Sequence, residues 1–384
     1  MSLSTRKPMN ILVDGRTWSA YAAGVSSFLK GALLEWAAQR PEDRFHILLP
    51  KGLDERLELP ALSDNIILHD YARCFPRRLP NLIILQFLVP YLCRRLHIHL
   101  YYAPVPHLPF MIPASTKTMV TVHDVVNLEM AHTMSWTNRI ATSIFFGKAI
   151  RKADLLWTNS RYTKSKVEHY FPQRRCKDIF TGCATDRRIF FPKAVSDAER
   201  QAVRRKYGIT NQFILFVGSQ EPRKNLRFLL SLMPRLYQEH GVQLVVVGGN
   251  SWKNDDVREI LHSQRFPKES TIFCGYLSNE ELARLYRSAA CFVSTAFMEG
   301  FGMPQLEAML CGCPVVTSHN TAMIEVAEGK EGAVTVEGYD PHRWEAAILD
   351  MMSHRRTVNS TQLESYDWAR IVEDLNHYIS GYSI

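Results

Sequence analysis

The sequence predicts a two-domain α/β protein of the doubly wound type. Three observations carry that reading. The chain has 384 residues, longer than a single hydrophobic core usually grows. Short apolar runs alternate with segments of helical periodicity, the pattern of βαβ units and a parallel sheet. In the second half, several of those runs end at glycine: Phe213–Val217 before Gly218, Gln243–Val247 before Gly248 and Gly249, and Thr271–Cys274 before Gly275.

In chain order, Asn10–Val13 reads as a strand, and Val25–Ala38 as a helix with Val25, Phe28, Leu29, Ala32, Leu33 and Trp36 on its apolar face. His46–Leu49, Ile66–Leu68 and Met119–Val122 read as further strands. The stretch from Cys74 to Pro113 is apolar and proline-rich, with Arg77, Arg78, Arg94 and Arg95 framing Leu82–Leu92. A polar helix over Ser196–Tyr207 follows the expected boundary at Pro192 and Lys193. Beyond it, Leu226–His240 is a helix, and Ser278 and Glu281 form a capping box for a helix running to Ala290. Cys291–Ser294 and Pro314–Thr317 are strands, Pro304–Cys311 a helix and Ile324–Ala327 a short helix. The expected domains are 1–192, joined by a C-terminal helix over 367–384, and 193–366.

Composition excludes several classes. With 46% hydrophobic and 22% charged residues the chain is an ordinary globular sequence. No apolar run reaches membrane-spanning length, and the N-terminus passes into a strand rather than a signal peptide, so a cytoplasmic protein is expected. The eight cysteines lack zinc or CxxC spacing and read as buried or incidental thiols. Net charge is +8, unevenly spread. Residues 1–192 hold 26 Lys and Arg against 15 Asp and Glu, and the remainder 20 against 23, so the first half suits an anionic partner.

Two constellations carry chemistry. Gly218-Ser-Gln-Glu-Pro-Arg223-Lys224-Asn225 links a strand to a helix, where glycine, free helix-start amides and two cations suit a diphosphate. Neither the Walker spacing nor GxGxxG is present there. The second is Phe297-Met-Glu299-Gly300-Phe301-Gly302-Met-Pro304-Gln-Leu-Glu307, a glycine-rich loop feeding a helix with Pro304 in its first turn. Glu299 and Glu307 flank that helix start, where carboxylates accept sugar hydroxyls and loop amides hold phosphate. The strand over Val120–Val122 ends at His123-Asp124, where a doubly wound sheet places active residues.

The spacing of Glu299 and Glu307 resembles the E-x7-E signature of glycosyltransferase family 4, retaining enzymes of the GT-B fold. Gly218-x3-Pro222-Arg-Lys-Asn225, Phe273-x-Gly275-Tyr, Leu282-x2-Leu-Tyr-x2-Ala289, Ala308-x2-Cys-Gly312-x-Pro314-Val-Val and Glu325-Val326 are similar in order and spacing, from about Phe213 to Tyr378. In the first half the likeness rests on Gly24, His123-Asp124 and Ala153-Asp154 through Asn159-Ser160. The resemblance implies two Rossmann-like domains facing across a cleft, the first on the acceptor side. It implies that Arg223 and Lys224 bind the donor diphosphate, Glu307 the ribose, and Glu299 the transferred sugar. Gly300, Phe301 and Gly302 would offer amides, His123 would stand over the sugar, and Gly24 would lie near the phosphates. Ser219 stands where many members carry Arg, which leaves that charge to Arg223.

The sequence contains no Asp-x-Asp, so the leaving diphosphate is expected to be met by Arg223, Lys224 and helix starts rather than by a metal. The resemblance implies retention, and no carboxylate is placed for a double displacement. Its polysaccharide and O-antigen branch suggests mannosyl or rhamnosyl transfer, with GDP-mannose as the first donor and a glycan or polyprenyl-linked glycan as acceptor. A GT-B phosphorylase or sugar-nucleotide hydrolase is the enzymatic alternative. A non-catalytic nucleic-acid- or membrane-binding protein is the other, although the basic residues are dispersed and no stacking-aromatic motif accompanies them, so nucleic acid is not expected. Leu79–Tyr91, flanked by Arg73, Arg77, Arg78, Arg94 and Arg95, suits a lipid interface and a peripheral contact with anionic membrane.

Overall fold

A computed structural model describes residues 7–18, 24–49, 62–70, 81–130, 145–249, 255–353 and 358–382. The chain divides into two units, Met1–Ala184 with Tyr366–Ile384, and Thr185–Ser365. The division thus falls eight residues before the expected boundary at 192. Arg287 explains the shift: it donates to the carbonyls of Ile189 (2.7 Å) and Phe191 (3.1 Å), tying this stretch to the second unit.

The first unit is built on seven parallel strands: β1 Asn10–Asp14, β2 Arg44–Leu49, β3 Ile66–Asp70, β4 Leu100–Ala103, β5 Lys117–Val122, β6 Leu155–Thr158 and β7 Ile179–Thr181. Their order is β3-β2-β1-β4-β5-β6-β7. Ile11 pairs with Phe45 on one side and Leu100 on the other, so the order reverses between β1 and β4. Doubly wound sheets bind ligands at that reversal, beyond the carboxyl ends of the strands. The helix Gly24–Gln39 buries Phe28, Leu29, Ala32, Leu33 and Trp36, the face its periodicity marked out. The returning helix Trp368–Ser380 packs on it. Trp36 Nε1 donates to Asn376 Oδ1 at 3.0 Å, and a Cβ on Gly31 would fall 2.7 Å from Cε2 of Trp368. Glycine at position 31 is what lets the indole approach. Asp367 caps this helix, accepting from Ala369 N at 2.7 Å.

The proline-rich stretch holds the helix Asn81–Arg95, with Pro90 inside it, and strand β4. Ile84, Leu85, Val89, Leu92 and Cys93 are buried, whereas Ile83, Phe87 and Tyr91, spaced at i, i+4 and i+8, are exposed. The segment is therefore half core helix, not an apolar surface throughout. Leu79, Arg73, Arg77 and Arg78 lie outside the described residues.

The second unit repeats the pattern with β8 Phe213–Val217, β9 Gln243–Val247, β10 Thr271–Gly275, β11 Cys291–Ser294, β12 Val315–Ser318 and β13 Ala333–Val336. The order β10-β9-β8-β11-β12-β13 puts its reversal between β8 and β11. The helix Leu226–His240 seals one face by burying Leu229, Leu230, Met233 and Leu236 among Ile214, Phe216, Leu244 and Val246. The Ser278–Glu281 box is formed, and Ser196 with Glu199 makes a second that the sequence reading did not single out. Six of the seven described cysteines are buried, and all seven are free thiols.

Candidate functional site

The carboxyl end of β8 is drawn close to that of β9. Gly218 N donates to Val247 O at 2.9 Å, Gly248 N to Gly275 O at 2.8 Å, and a Cβ on Gly248 would sit 2.7 Å from the Gly218 carbonyl carbon. The glycines make a thin floor from which the chain rises into a single turn, Pro222–Lys224. Asn225 follows in the left-handed region (φ 52°), which Asn tolerates better than most residues, and opens the helix Leu226–His240. This turn is stitched to the loop after β11. Phe297 N donates to Arg223 O at 2.7 Å, and Thr295 Oγ1 to Asn225 O at 2.9 Å and Lys224 O at 3.3 Å. Both constellations therefore meet at the sheet's reversal point.

At their junction lies Glu299, which is 9% exposed. Its carboxylate accepts from Lys224 Nζ and from Arg223 Nη1 (3.2 Å), and Arg223 Nε also donates to Glu221 at 2.7 Å. Burial raises the Glu299 pKa, but Lys224 and Arg223 outweigh burial and hold it below the ordinary carboxylate range. Ser219, the departure from the family pattern, donates to Glu221 at 3.0 Å. Glu299 N donates to Thr321 Oγ1 at 3.2 Å. Thr321 has a φ of 48°, unusual for a β-branched residue and a mark of strain held by its surroundings.

Gly300, Phe301 and Gly302 are buried, and Gly302, with φ 90°, stands before the helix Met303–Leu310 without a side-chain cap. A helix start with no side-chain acceptor suits an anion. One turn into that helix Glu307 is 8% exposed and accepts from Tyr286 Oη at 3.2 Å and Thr185 Oγ1 at 3.5 Å. No cation pairs with it among the described residues, and burial pushes its pKa up to about 7. The two carboxylates thus differ in state. Glu299 is ionised, whereas Glu307 is shared between its forms near neutrality. Thr185, Tyr286, Thr295 and Thr321 escaped the sequence reading. Tyr286 stood in a quoted motif without a role, and nothing near Thr185 signals a contact 122 residues away.

In the first unit, His123 follows β5 and is half-buried. Its Nε2 lies 2.8 Å from the carbonyl of Pro104, the residue after β4, so Nε2 carries the proton. Burial lowers its pKa, which leaves a neutral ring with a lone pair on Nδ1. Phe28 meets that ring edge-on at 4.8 Å and fixes its orientation. Gly24 is exposed and starts the helix Gly24–Gln39, and residues 19–23 lie outside the described set. At the end of β1, Arg16 clasps buried Asp14 through Nε (2.9 Å) and Nη2 (2.6 Å). Among the described residues no group of three His, Cys, Asp or Glu side chains is arranged to hold a metal ion.

Two doubly wound units, the second with a cation–carboxylate site at its reversal point, define the GT-B fold of glycosyltransferases. Residues 199–367 match the glycosyl transferases group 1 family. O-antigen chain mannosyltransferase B of Escherichia coli is 32% identical over 244 residues, 62% of this chain and 61% of that protein. The serotype-specific mannosyltransferase WbdA of Escherichia coli is 31% identical over 175 residues, 42% of this chain and 21% of its own length. The chain therefore spans about six-tenths of the first of these relatives and a fifth of the second. Among solved structures, Anabaena HepE in complex with UDP and glucose is similar in fold, with a TM-score of 0.70, 19% identity, and 97% and 100% of the two chains covered.

Proposed function

We propose that the protein is a retaining, metal-independent hexosyltransferase that moves mannose from GDP-mannose to a glycan or polyprenyl-linked glycan. The observation that carries this reading is the convergence of Lys224 and Arg223 on Glu299 at the sheet's reversal point. Two cations there meet the charge that grows on the departing diphosphate, and the carboxylate is left to receive hydroxyls of the transferred sugar. Glu307 receives the ribose hydroxyls, and the buried amides of Gly300, Phe301 and Gly302 take sugar and phosphate. His123, neutral and with Nδ1 available, contacts the sugar, and Gly24 lies by the phosphates. The acceptor hydroxyl attacks the anomeric carbon from the face the diphosphate leaves. The mannosyl choice draws on the names of the Escherichia coli relatives.

A lipid-linked acceptor draws the protein to the inner face of the cell membrane as a peripheral component. Support comes from the exposed stripe of Ile83, Phe87 and Tyr91 with Phe110 and Met111, also exposed. Lys148 lies 3.6 Å from the centre of the Phe110 ring and Arg95 donates to Tyr91 Oη at 2.8 Å, so cations border the apolar surface. Among the described residues no helix is long and apolar enough to cross a membrane.

Melting the protein with GDP-mannose, UDP-glucose, dTDP-rhamnose and ADP-glucose in turn tests the donor. The largest rise is expected with GDP-mannose, and a parallel melt with GDP should show a comparable rise. A rise with none of them contradicts it.

A further inference from the structure

A second cation cluster lies at the amino ends of the C-terminal strands, the opposite end of the sheet from Arg223 and Lys224. A cavity of about 270 Å³ opens there between the approaches to β8, β11 and β12 and the helices Asp197–Tyr207 and Asn279–Ser288. Arg200, Arg204 and Arg287 line it, and among the described residues no Asp or Glu does. Arg200 and Arg204 are one helical turn apart and share a face. The Arg287 guanidinium bonds to the carbonyls of Phe191 and Ile189 and lies over the Phe191 ring at 4.5 Å. Those contacts engage two of its five donors and supply no countercharge.

The nearby carboxylates are already engaged by lysines, Glu199 with Lys193 at 3.2 Å and Glu281 with Lys206. Two buried polar atoms of residues lining the cavity, Arg200 Nε and Ser288 Oγ, have no hydrogen-bond partner among the described residues. Buried polar groups in folded proteins are nearly always paired. Three like charges and two orphaned donors around one recess lack one component, an anion.

We propose that this cavity binds a compact phospho-anion at a site distinct from the nucleotide-sugar site. Guanidinium forks match phosphate oxygens, and the Ser288 hydroxyl adds a donor that rotates to suit. The volume corresponds to roughly nine waters at about 30 Å³ each, room for one or two phosphoryl groups. β8 alone separates the two sites by roughly 13 Å at about 3.3 Å per residue, so one diphosphate cannot span them.

Titration calorimetry of the full chain with inorganic pyrophosphate tests this. Wild type should show two binding events, one weakened by Lys224→Ala alone and the other at least about tenfold by Arg200→Gln with Arg204→Gln. Melting curves without anion should show the double variant as stable as wild type or more so, because like charges have been removed. Should the double variant fail to fold, Arg204→Gln alone is read the same way. Flotation with phosphatidylglycerol vesicles separates the sources: loss of flotation in the arginine variants points to a headgroup, unchanged flotation to a free phosphate. Pyrophosphate binding that survives both arginine variants unchanged, or that vanishes entirely with Lys224→Ala, overturns the proposal.

Discussion

Replacing Glu299 with Gln separates the roles of the site more sharply than any other single change. In the free protein its carboxylate neutralises Lys224, whose side chain is 12% exposed, and part of Arg223, which is 22% exposed and keeps Glu221. Removing one partner of a fully buried pair costs about 3–5 kcal/mol. The residual exposure and the Glu221 contact place this case nearer 2–3 kcal/mol, on the order of 5–10 °C in melting temperature for a unit of this size. A diphosphate then supplies the missing countercharge, so part of that cost returns on binding. Free nucleoside diphosphate should bind about tenfold tighter to the variant, roughly 1.4 kcal/mol, while sugar transfer falls steeply. Calorimetry with GDP and a transfer assay read the two effects on the same preparation. Weaker GDP binding by the variant would mean instead that Glu299 holds the nucleotide rather than the cations.

Lys224→Ala should weaken GDP by about 2 kcal/mol, near thirtyfold, as one charge-assisted contact is lost, and unchanged affinity would remove Lys224 from the site. Glu307→Gln should weaken free nucleotide and intact donor together, measured by competition, whereas losses confined to the intact donor would move Glu307 to the sugar. The same variant carries a pH signature. Burial raises the folded-state pKa from its ordinary 4.5 to about 7, so the folded chain holds more protons than the unfolded one between those values. Stability from this group is fully present below pH 4.5, declines as pH rises to 7, and changes by about 3 kcal/mol in all. Denaturant titrations of wild type and Glu307→Gln should diverge across that window, and parallel curves would show that Glu307 is not buried in its charged form. Phe87→Ser with Arg94→Gln and Arg95→Gln should reduce salt-sensitive binding to anionic vesicles, by roughly 1 kcal/mol per basic residue lost, and equal flotation would assign a soluble acceptor.

The C-terminal unit was readable because its strands are apolar runs stopped by glycines that the geometry requires. Gly218 and Gly248 sit where two strand ends nearly touch, so the residue type and the fold coincide. The first unit hid more. Leu100–Ala103 is fully buried but lies between histidines and prolines with no turn glycine to mark its end. Ile179–Thr181 has three residues, too few for a period, and the edge strand Ala333–Val336 is only partly buried. At the candidate site, the charged residues were visible, because cations and carboxylates beside glycines are uncommon in sequence. Their supports were not. Thr295 and Thr321 act through single hydroxyls on backbone atoms, a role open to any loop threonine and dependent on distances no spacing encodes. The boundary was missed for a related reason, since Arg287 holds residues 189–191 from almost a hundred positions away.

The proposed activity is acceptor-dependent mannosyl transfer with retention. Its most direct test incubates the full chain with GDP-mannose and a polyprenyl-diphosphate-linked glycan in the presence of EDTA, then reads GDP release and the anomeric configuration of the product by NMR. GDP should be released only with acceptor, the mannosidic bond should be axial as in the donor, and chelator should not lower the rate. Equal GDP release without acceptor, or an inverted product, would contradict it.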